Sequence, residues 1–176
     1  MKSRSLDTQD PRDALLPLIA DLRAYARFLM PQRAEADDLV QEALVRALAA
    51  LPQFQPGSNL RAWLFVILRN AFYEQARRRR SERAALERTP PPEHAGQPAQ
   101  HAHSELTDLQ THLFALPPLL RESLVLVGAQ GMSYEQAAEI CGVPVGTMKA
   151  RVSRARVLLS RVLHRGADGP AAPNDT

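Results

Sequence analysis

Along the chain, stretches with apolar residues at helical spacing alternate with short stretches of proline, glycine and polar residues. From 11 to 30, Leu15, Ile19, Leu22, Ala26 and Leu29 recur every three or four positions, which predicts a helix. Pro17 lacks a backbone donor and marks either the true start of that helix or a kink. A second helix is predicted from 34 to 51. Leu39, Ala43, Ala47 and Leu51 form its apolar stripe, and Val40, Leu44 and Leu48 widen it. Pro52, Pro56, Gly57 and Ser58 then signal a loop, with Phe54 as a buried anchor. A third helix, from 60 to 80, carries Trp63, Leu64, Ile67, Leu68, Ala71 and Phe72 and ends in Arg77-Arg78-Arg79-Arg80. From 81 to 103 the periodicity disappears, and Pro90, Pro91, Pro92, Gly96 and Pro98 read as a linker. It returns at 104–116, through Leu106, Leu109, Leu113 and Leu116. After Pro117 and Pro118 it continues at 119–130, with Leu124, Val125, Leu126 and Val127 as a buried run.

The stretch 131–164 has the clearest punctuation. Ser133 is a good N-cap for a helix that carries Ala137, Ala138, Ile140 and Cys141 towards a core. Gly142 suits the left-handed turn that ends it, and Pro144 keeps Val143 out of helical geometry. A second helix follows to about 163. On a wheel, Met148, Val152, Ala155, Leu159 and Val162 form its inner stripe. Ala150, Ser153, Arg154, Val157 and Arg161 lie opposite, flanked by Lys149, Arg151 and Arg156. No acid occurs between Lys149 and Arg165, whereas a merely solvated helix face mixes signs. A short helix, a tight turn and a basic second helix suit entry into a DNA major groove; an ordinary helical hairpin with a solvated basic face is the bland alternative.

Every predicted element is helical, so the fold class is all-α. Two small helical domains at 11–81 and 104–165 are expected, joined by a proline-rich linker at 82–103 and followed by a disordered tail at 166–176. Composition adds constraints. The 176 residues are 45% hydrophobic, enough for a core, and the net charge of +3 makes the basicity local. A lone cysteine, Cys141, excludes an internal disulfide and a cysteine-rich zinc site; it fills a helix core or plays a redox part. His94, His101, His103 and His112 lack a suitably spaced carboxylate or cysteine, so no metal is expected. No apolar run is long enough to span a bilayer and no signal peptide opens the chain; a cytoplasmic protein is expected. Without a glycine-rich phosphate loop or a nucleophile–base pair, neither an enzyme nor a cofactor is expected.

Two further features have a plain and a functional reading. Asp37 and Asp38 suit the positive end of a helix dipole. In the third helix, Trp63, Phe65, Phe72 and Tyr73 alternate with Arg61, Arg69 and the terminal arginines. Aromatic faces stack on unpaired bases and arginines hold phosphates. Trp63 and Phe72 equally suit a core, and arginines suit a helix C-terminus.

Three segments together resemble the extracytoplasmic-function sigma factors, the minimal two-domain specificity subunits of bacterial RNA polymerase. The first is Ala36-Asp-Asp-Leu-Val-Gln-Glu-Ala-Leu-Val-Arg-Ala-Leu48, similar to the part of sigma region 2 that docks on the polymerase clamp. The second is Phe54-Gln-Pro-Gly-Ser-Asn-Leu-Arg-Ala-Trp-Leu-Phe-Val-Ile-Leu-Arg-Asn70, similar to the segment that opens the promoter −10 element. The third runs from Leu116-Pro-Pro-Leu-Leu-Arg-Glu122 through Arg156 and resembles region 4, which reads the −35 element. Leu126-Val-Gly-Ala-Gln-Gly-Met-Ser-Tyr134 also looks like the general-stress-response branch.

The resemblance implies a sigma factor that directs core polymerase to promoters, with the clamp of the largest subunit, the β flap, promoter DNA and an anti-sigma factor as partners. It implies that Asp37, Asp38, Gln41 and Glu42 face the clamp. Arg46, Ala50 and Asn70 would line a pocket for a flipped −10 base. The loop 53–59, with Gln53, Phe54, Ser58 and Asn59, would set its specificity; Trp63 matches the family's tryptophan, in a DNA or a core role. Lys149, Ala150, Ser153 and Arg154 occupy recognition-helix positions, and Thr147 and Arg151 suit phosphate contacts. Ala150 departs from the family's frequent serine and cannot hydrogen-bond a base. Two other readings use the same helices: a sigma-like mimic that only sequesters an anti-sigma factor, and a conventional helix-turn-helix regulator. The acidic segment near Asp38 and the Trp63 helix are unexplained by the regulator, and the basic recognition helix argues against the mimic.

Overall fold

The computed structural model describes residues 13–55, 57–86 and 105–167. The chain divides into two compact units, residues 1–74 and 75–176. All regular structure among the described residues is helical. Pro56, His94, His101, His103, the expected linker from 87 onwards and the expected tail from 168 onwards lie outside the described residues; the first two positions of that tail, 166 and 167, are helical rather than disordered.

The first unit begins with a 3₁₀ turn, Asp13–Leu18, that contains Pro17. Helix α1, Ile19–Leu29, starts two residues after that proline. Pro17 therefore precedes the α-helix rather than kinking it: its missing N–H falls where no i→i−4 bond is required. Met30 is extended (φ −114°, ψ 129°), as a residue before proline must be, and Pro31 ends the helix there. Helix α2, Arg33–Ala50, packs on α1. Leu22, Tyr25, Ala26 and Leu29 of α1 and Ala36, Leu39, Val40, Ala43 and Ala47 of α2 are buried. Small side chains at 36, 43 and 47 let the two helices approach closely. Pro52 closes α2 through one 3₁₀ turn, Leu51–Gln53.

Helix α3, Leu60–Leu86, starts in this unit and continues beyond residue 74. Ala62, Leu64, Phe65, Leu68 and Ala71 are its buried face, and Phe65 stacks on Tyr25 at 4.9 Å. Phe65 is therefore the core aromatic, while Trp63 is half-buried. The helix does not stop at Arg80 as the sequence predicts. Ser81 to Leu86 contains neither glycine nor proline, and Arg, Glu, Ala and Leu propagate a helix readily. The first positions of the expected linker, 82–86, are thus helical.

The second unit contains α4 (Glu105–Phe114), α5 (Pro118–Leu124), α6 (Tyr134–Cys141) and α7 (Val145–Ala167). Pro118 occupies the first turn of α5, where its missing donor is harmless. The predicted helix 119–130 is split: a π turn, Val125–Ala129, follows α5, and Gln130 N–H donates to the Val125 carbonyl at 2.9 Å. Val125 and Leu126 are buried there, whereas Leu124 and Val127 are only partly so. Arg121 is buried too; it donates from Nη1 to the Phe114 carbonyl at 3.3 Å and lies 4.3 Å over the Phe114 ring. The α7 stripe closes this core: Met148, Val152 and Ala155 are fully buried, with Ala137, Ala138, Ile140 and Cys141 of α6 against them.

Candidate nucleic-acid interface

Local sequence sets the α6–turn–α7 geometry. Ser133 Oγ accepts from Gln136 N–H at 3.2 Å, and Ser133 N–H donates to Gln136 Oε1 at 3.0 Å. This reciprocal capping box fixes where α6 starts. Gly142, at φ +63°, ends it, and Val143 N–H returns to the Ala138 carbonyl at 3.0 Å. Since Met148, Val152 and Ala155 face inward, Lys149, Ala150, Ser153 and Arg154 are forced outward, and all four are exposed. Thr147 and Arg151 are only half-buried, and Arg151 Nη1 is enclosed without a hydrogen-bond partner. Arg151 is thus presented less openly than its neighbours. Lys149 Nζ sits 5.8 Å from the centre of the Tyr134 ring, and Arg154 Nε donates to the Ala150 carbonyl at 3.3 Å. The Glu135 carboxyl is held below the usual range by its own backbone N–H, then by the Ser133 hydroxyl, and lastly by the Lys149 charge.

In the first unit, the loop before α3 is used structurally by its own candidates. Asn59 Oδ1 accepts from Ala62 N–H at 3.0 Å, so Asn59 caps α3. Ser58 Oγ donates to the Gln55 carbonyl at 2.7 Å, and Gly57 takes φ +87° to make the turn. Phe54 is half-buried rather than a core anchor, with its ring 5.1 Å from Trp63. Gln53 and Asn70 are exposed, Ala50 half-buried. Arg46 pairs with Glu42 one turn back and with Glu74 of α3 at 2.8 Å. The Glu74 hydrogen bond is the main reason its guanidinium is held even more firmly protonated than usual. The structure thus places Arg46 between two carboxylates, and Glu42 turns to it instead of standing clear. Asp37 lies 3.9 Å from Arg23.

Asp38 and Gln41 are exposed on α2, and the same face continues through Val45 and Leu48, which are 67% and 48% exposed. Sequence reasoning missed Val45 and assigned Leu48 to the core. The available signal was spacing: Asp38, Gln41, Val45 and Leu48 fall on one helical stripe opposite Val40, Ala43 and Ala47. Large exposed apolar side chains beside an acidic helix start suit a protein partner, not solvent.

Residues 17–82 match the model of Sigma-70 region 2, and residues 106–159 match that of Sigma-70 region 4. The chain belongs to the extracytoplasmic-function sigma factors. It is 48% identical, over 96% of its length and 93% of the relative's, to the sigma factor EcfG of Rhodopseudomonas palustris (strain TIE-1). Among solved structures it resembles the sigma factor RpoE of Bartonella quintana, crystallised with the anti-sigma factor NepR. That likeness has a TM-score of 0.77, 43% identity and coverage of 89% of this chain and 98% of the other. It also resembles CnrH bound to the cytosolic domain of CnrY, at a TM-score of 0.65, 30% identity and coverage of 92% and 93%. The all-α, two-domain expectation agrees with this family, and the protein is a sigma factor for RNA polymerase that acts on promoter DNA. The family is not an enzyme class. Among the described residues no group of His, Cys, Asp and Glu could hold a metal, and no helix is long and apolar enough to cross a membrane.

Proposed function

We propose that this sigma factor reads its promoter with two separate faces and meets core polymerase with a third. The outer face of α7, with Lys149, Ala150, Ser153 and Arg154, reads the −35 duplex. The observation that carries this is their joint exposure opposite a stripe that closes the core. Arg154 or Lys149 to guanine supplies roughly 1–3 kcal/mol of discrimination for a well-formed pair, and Ala150 offers only a methyl contact. Thr147 and Arg151 stand at the edge of that face, towards the phosphates. The loop with Gln53, Phe54, Ser58 and Asn59, together with Trp63 and Asn70, takes the opened −10 strand, with Ala50 and Arg46 behind it. The stripe with Asp38 and Gln41, flanked by Asp37 and Glu42, meets the polymerase clamp, and the β flap is the second polymerase contact. An anti-sigma factor holds the protein inactive until a stress signal arrives, as a partner of the class bound by the relatives named above.

Runoff transcription with core polymerase on a genomic fragment pool tests the reading. Initiation is expected at promoters that core alone ignores. Arg154→Ala is expected to lose the preference for a −35 duplex over its scrambled form by roughly 5- to 100-fold. No gain over core polymerase overturns the reading.

A further inference from the structure

Glu74 has none of the roles described above, yet it holds a residue that does. Arg46 Nη2 lies 2.8 Å from Glu74 Oε2 on α3, and the same nitrogen is bonded to Glu42 Oε1, one turn back on α2. All three residues belong to the first compact unit. The Glu42–Arg46 pair is local, an acid one turn ahead of a cation on one helix. The Glu74 bond is tertiary, and it leads the causes that keep the guanidinium protonated. Glu74 also stands one turn beyond Asn70 on α3, as Arg46 stands one turn before Ala50 on α2. It therefore reaches Arg46 from the helix face that carries Asn70.

A tie between two helices needs only one carboxylate. Here two share one cation, the three side chains are 33–36% exposed, and exposed ion pairs add little to stability. The arrangement has a chemical consequence instead. A guanidinium has two two-pronged edges, Nη1 with Nη2 and Nε with Nη2. Nη2 has two hydrogens, and Glu42 and Glu74 take one each, so neither edge is whole. The bidentate grip that arginine uses on phosphate or on guanine needs one of those edges. What is left is a single N–H beside carboxylate oxygens, in a trio that carries one net negative charge. That combination repels a phosphate. It suits the edge of an unstacked neutral base, where an acceptor stands next to an N–H donor.

We propose that Glu74 is a positioning residue for promoter opening: with Glu42 it pins Arg46 by one nitrogen, so that Arg46 meets an unpaired base of the −10 strand with a single N–H and is kept off the phosphates of that strand. The proposal rests on the reading that Arg46 takes part in the −10 site. Glu74 thereby turns an arginine, a ready phosphate ligand, into a base reader.

The test uses holoenzyme, the full chain with core polymerase, titrated by anisotropy with a single strand that carries the −10 element of a promoter it initiates from. Abasic versions of that strand scan the element, and each titration is repeated at several salt concentrations. Arg46→Gln is expected to abolish the preference for a base over an abasic site at one position. Glu74→Gln is expected to lower the preference at that same position roughly three- to tenfold. It is also expected to bind the abasic strand more tightly and to steepen the salt slope by about 0.7, the increment for one added phosphate contact on a single strand. With Arg46→Gln already in place, Glu74→Gln is expected to change neither quantity. Glu74→Asp keeps the charge but shortens the reach, and is expected to lower the base preference as well. Uniform loss of affinity with a lower melting temperature and no steeper slope makes Glu74 a plain tie between helices and overturns the proposal. A steeper slope that persists without Arg46 assigns Glu74 to general charge and also overturns it, as does an unchanged base preference in Glu74→Gln. The reading of Arg46 itself fails separately, if Arg46→Gln leaves the preference at every position unchanged.

Discussion

Ser133 does two things with one hydroxyl group and one N–H: its Oγ accepts from Gln136 N–H, and its own N–H donates to Gln136 Oε1. The neighbouring Glu135 carboxyl is held below its ordinary value, first by its own N–H, next by the Ser133 hydroxyl and only last by the Lys149 charge. For an acid depressed on folding, the stabilisation is present above the ordinary value of 4.5 and is lost as pH falls through the lower, folded value. An NMR titration is expected to show Ser133→Ala moving the Glu135 pKa back towards its ordinary value by more than Lys149→Ala does. The reverse order would mean that Lys149 is committed to Glu135 and less available for a base. Some residues were legible at this scale and others were not. Ser133, Gly142 and the outward set on α7 follow from local rules. The Arg46–Glu74 pair does not, because its partners meet only after α2 and α3 pack. Periodicity likewise could not choose between Trp63 and Phe65, which lie two positions apart on a helix with apolar residues most of the way round.

Among the elements, boundaries marked by a residue with a mechanical reason were readable, and the others drifted. Met30 before Pro31, Asn59 before α3, and Gly142 after α6 all stand at real ends. The end of α3 and the π turn at Val125–Ala129 have no such marker, so the sequence placed the first too early and missed the second. Glycine substitutions separate backbone strain from packing. A Cβ at Gly142 meets nothing within 4 Å, so Gly142→Ala carries only the cost of φ +63°, about 1–2 kcal/mol in urea unfolding. Gly146, inside α7, is equally open but is not in the left-handed region, and Gly146→Ala is expected to stabilise by about 0.4–1 kcal/mol. A loss at both positions would contradict the capping assignment.

For the molecule as a whole, the exposed strip on α2 separates folding from function most cleanly. Val45→Ala with Leu48→Ala removes side chains that the fold does not enclose, so unfolding free energy is expected to stay within about 0.5 kcal/mol per site. Affinity for core polymerase, measured by sedimentation or interferometry, is expected to fall roughly tenfold or more, as for apolar anchors at an interface centre. Binding of the same variant to a −35 duplex should be unchanged. Asn59 sits at the opposite extreme from that strip. Its side chain is already committed to Ala62 N–H, so any base it reads must share it or displace it. Over generations this narrows the residues position 59 can sample to those that also cap a helix: Asn, Asp, Ser, Thr and, at small cost, Gly. Under the proposed role of this loop in −10 reading, drift in promoter preference would be channelled towards its uncapped neighbours, and the alphabet of the −10 element would be constrained by the mechanics of a helix start.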